Sequence, residues 1–329
     1  MDVVLKEKIT GAAAWRGQDL ANDSAWIAQL TEQDIASLDF ALGEVKKRGL
    51  TFPFFTAADF PVDGSLSKKL QGISDELENG RGFLLLRGLP VHRYSDEEIS
   101  ILYYGIGLHM GLPVSQNPKG EMIGVVTNVG DLNNKNTRVY ETNAYLPYHT
   151  DLSDVVGLLG VRKAKSGGLS SLVSAAAVYN EILEKYPHYL GLFYRPMYFA
   201  HLGEELPSLS PIFSFHQGKL SCRYLRQYLE LGHEIRGVPL SNVEVEALDI
   251  FDSIIHDENI RLDMMLEPGD IQFANNYAVM HSRSNFEDFQ ELELRRRLLR
   301  LWLKMPNTRT LAPDFPGRNG IPARVAEAA

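Results

Sequence analysis

The segment Arg295-Arg-Arg-Leu-Leu-Arg-Leu-Trp-Leu-Lys304 restricts the fold more than any other ten residues. Read as a strand, its side chains alternate between two faces. One face carries Arg296, Leu298, Arg300 and Trp302; the other carries Arg295, Arg297, Leu299, Leu301 and Leu303. Both faces turn apolar toward Trp302, so the strand is expected to be covered on both sides. Arginine on a covered strand needs an anionic partner, because an unpaired buried charge is costly. A guanidinium pairs with a carboxylate through two parallel hydrogen bonds. The competing account is a solvated basic run that balances Glu287, Asp288, Glu291 and Glu293. It suits Arg295 and Arg297 well, and Arg296 and Arg300 poorly.

Upstream, short apolar runs bounded by turn residues predict further strands at Gly82–Gly88, Ile123–Thr127, Leu158–Val161, Ser170–Ser174 and Ile271–Phe273. Helical spacing predicts helices from Thr31 to Lys47, over Leu70 to Leu77, after the capping box Ser95-Asp-Glu-Glu98, over Val178 to Lys185 and over Val243 to Ile255. No repeat of solenoid period and no low-complexity linker divides the chain. The expectation is one domain over 1–329: a mostly helical part at 1–80, a β-rich core with a helical insert at 80–305, and a tail at 306–329.

Composition narrows the chemistry. The single cysteine, Cys222, excludes an internal disulfide and a thiolate-rich metal site. With 33 basic against 42 acidic residues, the chain is not expected to bind nucleic acid. No apolar run approaches the roughly 20 residues that cross a bilayer, and no signal-like start is visible at Met1. A soluble, cytoplasmic enzyme is the expectation.

Of nine histidines, seven sit without a patterned partner. His149 lies two residues before Asp151, in Leu146-Pro-Tyr-His-Thr-Asp151. On a strand both side chains face the same way and form half of a divalent-metal site. Taken alone, a surface pair or a simple His–Asp hydrogen bond is the more economical account. Downstream, Glu267-Pro-Gly-Asp-Ile-Gln-Phe273 reads as a turn into a strand, followed by His281. If that strand returns beside the first, two imidazoles and a carboxylate form the facial triad of non-haem Fe(II) sites.

Together, His149-x-Asp151, His281 and Arg296-x-x-x-Arg300 resemble the taurine dioxygenase (TauD/TfdA) family of Fe(II)- and 2-oxoglutarate-dependent oxygenases. Ser166-Gly-Gly-Leu-Ser-Ser-Leu-Val-Ser174 and Gly82-Phe-Leu-Leu-Leu-Arg-Gly-Leu-Pro90 extend the resemblance, which covers about residues 80–305. It implies an α+β, mainly β fold: a double-stranded β-helix, or jelly-roll, with flanking and inserted helices. It implies that His149, Asp151 and His281 bind Fe(II). It further implies that Arg296, assisted by Ser170, pairs with the distal carboxylate of 2-oxoglutarate, and that Arg300 holds an anionic group of the substrate. Adjacent Ser171 is the alternative to Ser170, and a one-residue shift would exchange Arg296 for Arg295 or Arg297.

The reaction implied consumes O2 and 2-oxoglutarate, releases succinate and CO2, and most often hydroxylates an unactivated C–H bond. Because Asp151 is present, halogenation is disfavoured. Candidate substrate-lining residues are Gln116, Asn117, Tyr140 to Tyr145, Asn275, Tyr277 and Cys222-Arg-Tyr224. Their polar and aromatic mix suits a small carboxylate or amino acid, although packing explains each one as well. Two other readings stay open: a metal-binding jelly-roll sensor, and a zinc hydrolase, for which no general base is evident. Homo-oligomers are common in the resembled family, but no sequence feature here fixes a number.

Overall fold

In the computed structural model, residues 4–128, 142–201 and 206–323 are described. The helices begin where side chains can satisfy the free backbone N–H groups of a first turn. Thr31 and Asp34 form a capping box on Glu32–Lys47, Ser95 and Glu98 on Asp96–Leu108, and Ser241 and Glu244 on Asn242–Ile255. Asp63 caps Gly64–Asn79 and Ser174 caps Ala175–Lys185. The last helix therefore starts three residues before the apolar pattern that announced it. The amphipathic helix Arg226–Arg236 was not anticipated; it ends at Gly237 in the left-handed conformation.

Two sheets make the core. The larger runs Ile27–Gln29, Phe83–Arg87, Ile271–Asn275, Val155–Arg162, Arg297–Lys304 and Leu112–Pro113, with Ile123–Thr127 also paired to Arg297–Lys304. The smaller runs Leu262–Met264, Ser170–Ser174, Val279–Arg283 and Leu146–His149, all antiparallel. Their inner faces meet through Phe83, Leu85, Val156, Leu172, Val279, Leu298 and Trp302, which belong to one buried cluster. The outer face of the larger sheet, including Leu299, Leu301 and Leu303, packs on the three N-terminal helices. The outer face of the smaller sheet, through Val173 and Met280, packs on Ala175–Lys185 and Asn242–Ile255. This is the jelly-roll with flanking and inserted helices that the family resemblance implied.

The arginine-bearing strand is covered on both sides, as its pattern required. Leu298 and Trp302 point between the sheets while Leu299, Leu301 and Leu303 point to the helices. Arg296 and Arg300 share the inward parity and are both buried. Their odd-numbered neighbours leave the interior: Arg297 pairs with Asp96, and Arg295 donates to the carbonyls of Asn128, Phe289 and Gln290. The Gly167–Gly168 turn is required here. Both residues have positive φ, and a Cβ on Gly167 would lie 2.5 Å from the Asn285 carbonyl oxygen. Gly168 passes so close to Arg296 that its Cβ would meet Nε at 3.2 Å.

Candidate active site

Antiparallel pairing of Leu146–His149 with Val279–Arg283 sets His149 directly opposite His281. Their ring centroids are 4.2 Å apart. The strand ends at His149, so Asp151 is not on it as expected. The chain leaves the sheet because the Thr150 N–H donates to the Tyr224 carbonyl. Asp151 is held in place another way: its backbone N–H donates to Asn276 Oδ1 at 2.9 Å. Its carboxylate then lies 3.8 Å from His149 Nε2 and 3.5 Å from His281 Nε2. One donor atom from each of the three residues falls within 4.8 Å of the others.

The donor set fits a divalent ion such as Fe(II). Asp151 Oδ2 is buried and makes no regular hydrogen bond. His149 Nδ1 is 2.8 Å from the Pro147 carbonyl, which fixes its proton there and leaves the Nε2 lone pair for a metal. Burial, reinforced by the neighbouring His281, pushes His149 down to about 4, so its imidazole is neutral at pH 7. Burial alone would raise the Asp151 carboxyl. The Arg300 guanidinium and the two imidazoles outweigh it and hold Asp151 well below the usual carboxylate range. Arg300 Nη1 lies 3.8 Å from Asp151 Oδ1.

Two cavities meet at His149 and Asp151. The smaller, about 40 Å³, is lined by His149, Asp151 and His281 together with Ser170, Arg283 and Arg296. Arg296 is 6% exposed, and its Nη1 has no hydrogen-bond partner among the described residues. Burial, aided by nearby Arg283, pushes its guanidinium down to about 9. Ser170 lines this cavity and donates to Gln272 Oε1 at 2.6 Å. Ser171 faces the other way, bonded to Asp263 and Tyr148.

The larger cavity, about 310 Å³, adjoins Asp151 and Arg300 and is walled by Phe199, Tyr224, Tyr228, Trp302 and Phe315. Arg223 and Arg318 also line it, both donating to Ser208 Oγ. Beside them His201 is held far below its ordinary value by burial and by these two cations. Of the substrate-lining residues expected from sequence, Arg300, Tyr277, Cys222, Arg223 and Tyr224 are here.

Gln116, Asn117, Tyr145 and Asn275 are not, and each is held by a structural contact. Gln116 is buried behind Arg300, accepting from its Nε at 2.7 Å while donating to the Met122 and Arg300 carbonyls. Asn117 stabilises a surface turn with Ser115, Lys119 and Glu121. Tyr145 is exposed and bonded to His256. Asn275 points out of the sheet sandwich to Leu77 and Glu78. Its neighbour Asn276 is the one that lines the cavity. Tyr140 lies outside the described residues.

Sequence reasoning passed over Asn276, Arg283, His201 and Arg318. The signal for Arg283 was available: it lies two residues after His281, so it shares that histidine's face. Arg318 and His201 carried no local pattern.

Residues 46–302 match the family described as "Taurine catabolism dioxygenase TauD, TfdA family". The chain belongs to this family. It is an Fe(II)- and 2-oxoglutarate-dependent dioxygenase, and the sensor and zinc-hydrolase readings give way. Among curated proteins it is 34% identical over 316 residues to FR-33289 synthase of Streptomyces rubellomurinus, covering 93% of each chain. It is 29% identical over 317 residues to the taurine hydroxylase-like protein SAT17 of Stachybotrys chartarum, covering 91% of this chain and 80% of that one. Among solved structures it resembles asparagine oxygenase with Fe(II), 2S,3S-3-hydroxyasparagine and succinate. That match has a TM-score of 0.68 and 13% identity, and covers 84% of this chain and 93% of that one. The non-haem iron oxygenase OrfP with Fe and α-ketoglutaric acid superposes with a TM-score of 0.62 at 14% identity, over 87% and 99% of the two chains. Among the described residues, no helix is long and apolar enough to cross a membrane.

Proposed function

We propose that this enzyme hydroxylates a C–H bond of a small molecule that carries a carboxylate or another anionic group, releasing succinate and CO2. The carrying observation is the meeting of two cavities at His149 and Asp151 of the triad. The smaller contains a buried arginine in need of an anion, and the larger is open enough for a second small molecule. In this reading His149, Asp151 and His281 hold Fe(II), which when bound supplies the oxidising chemistry with O2. The rest is the work of the chain. Arg296 and Ser170 receive the distal carboxylate of 2-oxoglutarate. For Ser170 to give its proton to that carboxylate, the Gln272 amide turns over and donates to Ser170 Oγ instead. The turn also gives a partner to Gln272 Nε2, which has none in the present orientation.

Arg300 orients the substrate and, through Asp151, helps keep the metal-binding carboxylate ionised. Gln116 is thereby a positioning residue: its amide oxygen fixes the guanidinium of Arg300. Among the described residues lining the larger cavity, Asp151 is the sole acid, while Arg223, Arg300 and Arg318 are cations. That balance supports a substrate carrying a carboxylate or another anionic group. Amino acids named with the structural neighbours, asparagine and arginine, bear such a group and are of a fitting size. The aromatic wall of Tyr224, Trp302 and Phe315 excludes water from the reacting carbon.

The test is a screen of amino acids and other small anions under air with Fe(II) and 2-oxoglutarate. Mass spectrometry reads succinate and an added oxygen atom. Succinate that matches hydroxylated product one to one supports the proposal. Turnover confined to compounds that lack a carboxylate or other anionic group would refute this reading of the substrate. Anaerobic Fe(II) and 2-oxoglutarate that give no visible charge-transfer band would refute the assigned site.

A further inference from the structure

Arg283 is a second arginine of the smaller cavity, and the reading above gives it no task. It ends the strand Val279–Arg283 on the face that carries His281. Register places it opposite Ser170, just as His281 is opposite Leu172. One nitrogen anchors it: Nη2 donates to the carbonyls of Thr142, at 3.1 Å, and Ala144. Its Nε and Nη1 are buried and have no partner among the described residues. Arg296 Nη1 is in the same condition. Both guanidiniums lie against the Phe286 ring, 4.8 Å and 5.1 Å from its centroid.

Two cations with unpaired donors therefore share one small, buried cavity, which Arg300 borders as well. Their charges oppose each other, and burial pushes Arg283 down to about 10 as well. The nearest acids relieve this only in part. Asp151 belongs to the triad, and Asp288, whose charge favours the Arg296 cation, accepts the backbone N–H of Arg296 through Oδ1 and forms no ion pair with either guanidinium. Buried like charges persist only where a counter-charge arrives to pair with them. Ser170 stands in register beside them as a third donor.

We infer that Arg283 is a second binding residue for the distal carboxylate of 2-oxoglutarate, shared with Arg296. This rests on the assignment of the smaller cavity to 2-oxoglutarate. It makes the distal carboxylate, more than the keto acid end, the group by which this enzyme selects its co-substrate. An analogue that keeps the keto acid but ends in a methyl group leaves both cations unpaired.

The experiment measures binding, not turnover. Protein loaded with Mn(II) is titrated calorimetrically with 2-oxoglutarate and with 2-oxopentanoate, which lacks the distal carboxylate. The variant is Arg283→Gln, whose amide still donates toward the Thr142 and Ala144 carbonyls. Expected is a loss of about 10- to 100-fold in 2-oxoglutarate affinity, with 2-oxopentanoate changed by less than about threefold. Equal loss for both ligands would mean a purely structural role and overturns the inference, as does no loss for either. Arg283→Lys is measured beside it in case the neutral variant does not fold. Lysine keeps the charge but removes the free Nε and Nη1 donors, so the affinity ratio of the two ligands should fall by about 3- to 10-fold. An unchanged ratio in whichever variant folds overturns the inference. Arg296→Gln separates the two levels of argument. Loss there with none in the Arg283 variants refutes the role of Arg283 alone, and no loss in either position refutes the co-substrate site itself.

Discussion

Replacing Arg296 with methionine should have opposite effects on the empty protein and on the loaded one. The guanidinium is 6% exposed, and its Nη1 lacks a partner among the described residues. Its depression to about 9 from the ordinary arginine value reflects burial first and repulsion by Arg283 second. At about 1.4 kcal/mol per pH unit, that fall amounts to a penalty on the order of 5 kcal/mol for folding around the charge at neutral pH. Relaxation and water entry reduce it, and about 1 kcal/mol of contact with the Phe286 ring is lost on substitution. A net gain of roughly 1–2 kcal/mol remains, or a Tm higher by about 1.5–3 °C in the metal-free, ligand-free protein. The sign with pH follows. A cation whose folded pKa is depressed carries the full penalty below that value, and the penalty fades as pH rises from the folded toward the unfolded pKa. The wild type should therefore begin to recover on the variant above about pH 9 and continue to do so as the pH rises further. With 2-oxoglutarate and Mn(II), the order reverses. Loss of one or two charged hydrogen bonds costs about 3 kcal/mol, so Kd rises by about 100-fold. Differential scanning calorimetry with and without ligand reads both arms. An empty variant less stable than wild type by more than about 1 kcal/mol would show that Arg296 already has its counter-charge, and the account of the cavity would fail.

Three further outcomes follow from the same geometry. His281→Ala should abolish the anaerobic visible band of Fe(II) with 2-oxoglutarate; a band of full intensity would remove His281 from the metal. Gln116→Leu leaves Arg300 Nε without its acceptor, so the KM for the primary substrate should rise about tenfold while the Kd of 2-oxoglutarate stays within about twofold. A change in co-substrate affinity instead would contradict the separation of the two cavities. Ser170→Ala should weaken 2-oxoglutarate by about 3- to 10-fold and Ser171→Ala should not, because Ser171 is turned toward Asp263 and Tyr148.

What was legible in the sequence was whatever strand alternation or helix capping decides locally. The covered arginine strand gave its own inward face, because Leu298 and Trp302 could satisfy a core only on the side that Arg296 and Arg300 share. The capping box Ser95-Asp-Glu-Glu98 marked a helix start to the residue, because the side chain and the N–H groups that it caps lie within one turn. The pairing of His149 with His281 was less direct. Each strand could be seen, but their register is set by Ser170–Ser174 on the far side of Val279–Arg283 and by packing beneath both. The family resemblance supplied that long-range step, where local pattern had none to offer.

The misplaced substrate residues fail for a different reason. Asn275 and Asn276 are equivalent as letters, and a turn just after the strand decides between them. The Asn275 carbonyl accepts from Ala278 while Asn275 Oδ1 accepts from Tyr277, so that side chain is committed to closing the turn and its amide nitrogen to the Leu77 and Glu78 side. Asn276 then faces the cavity and bonds the backbone of Asp151. This choice carries the metal site with it. Asp151 lies beyond the end of its strand and has no ladder partner to hold it. Asn276→Ala should free the Asp151 backbone, loosen one of three ligands and weaken Fe(II) or Mn(II) binding by about tenfold, while Asn275→Ala should lower Tm and leave the metal Kd unchanged. Equal metal affinity in the two variants would mean that the carboxylate is positioned by Arg300 and the imidazoles alone.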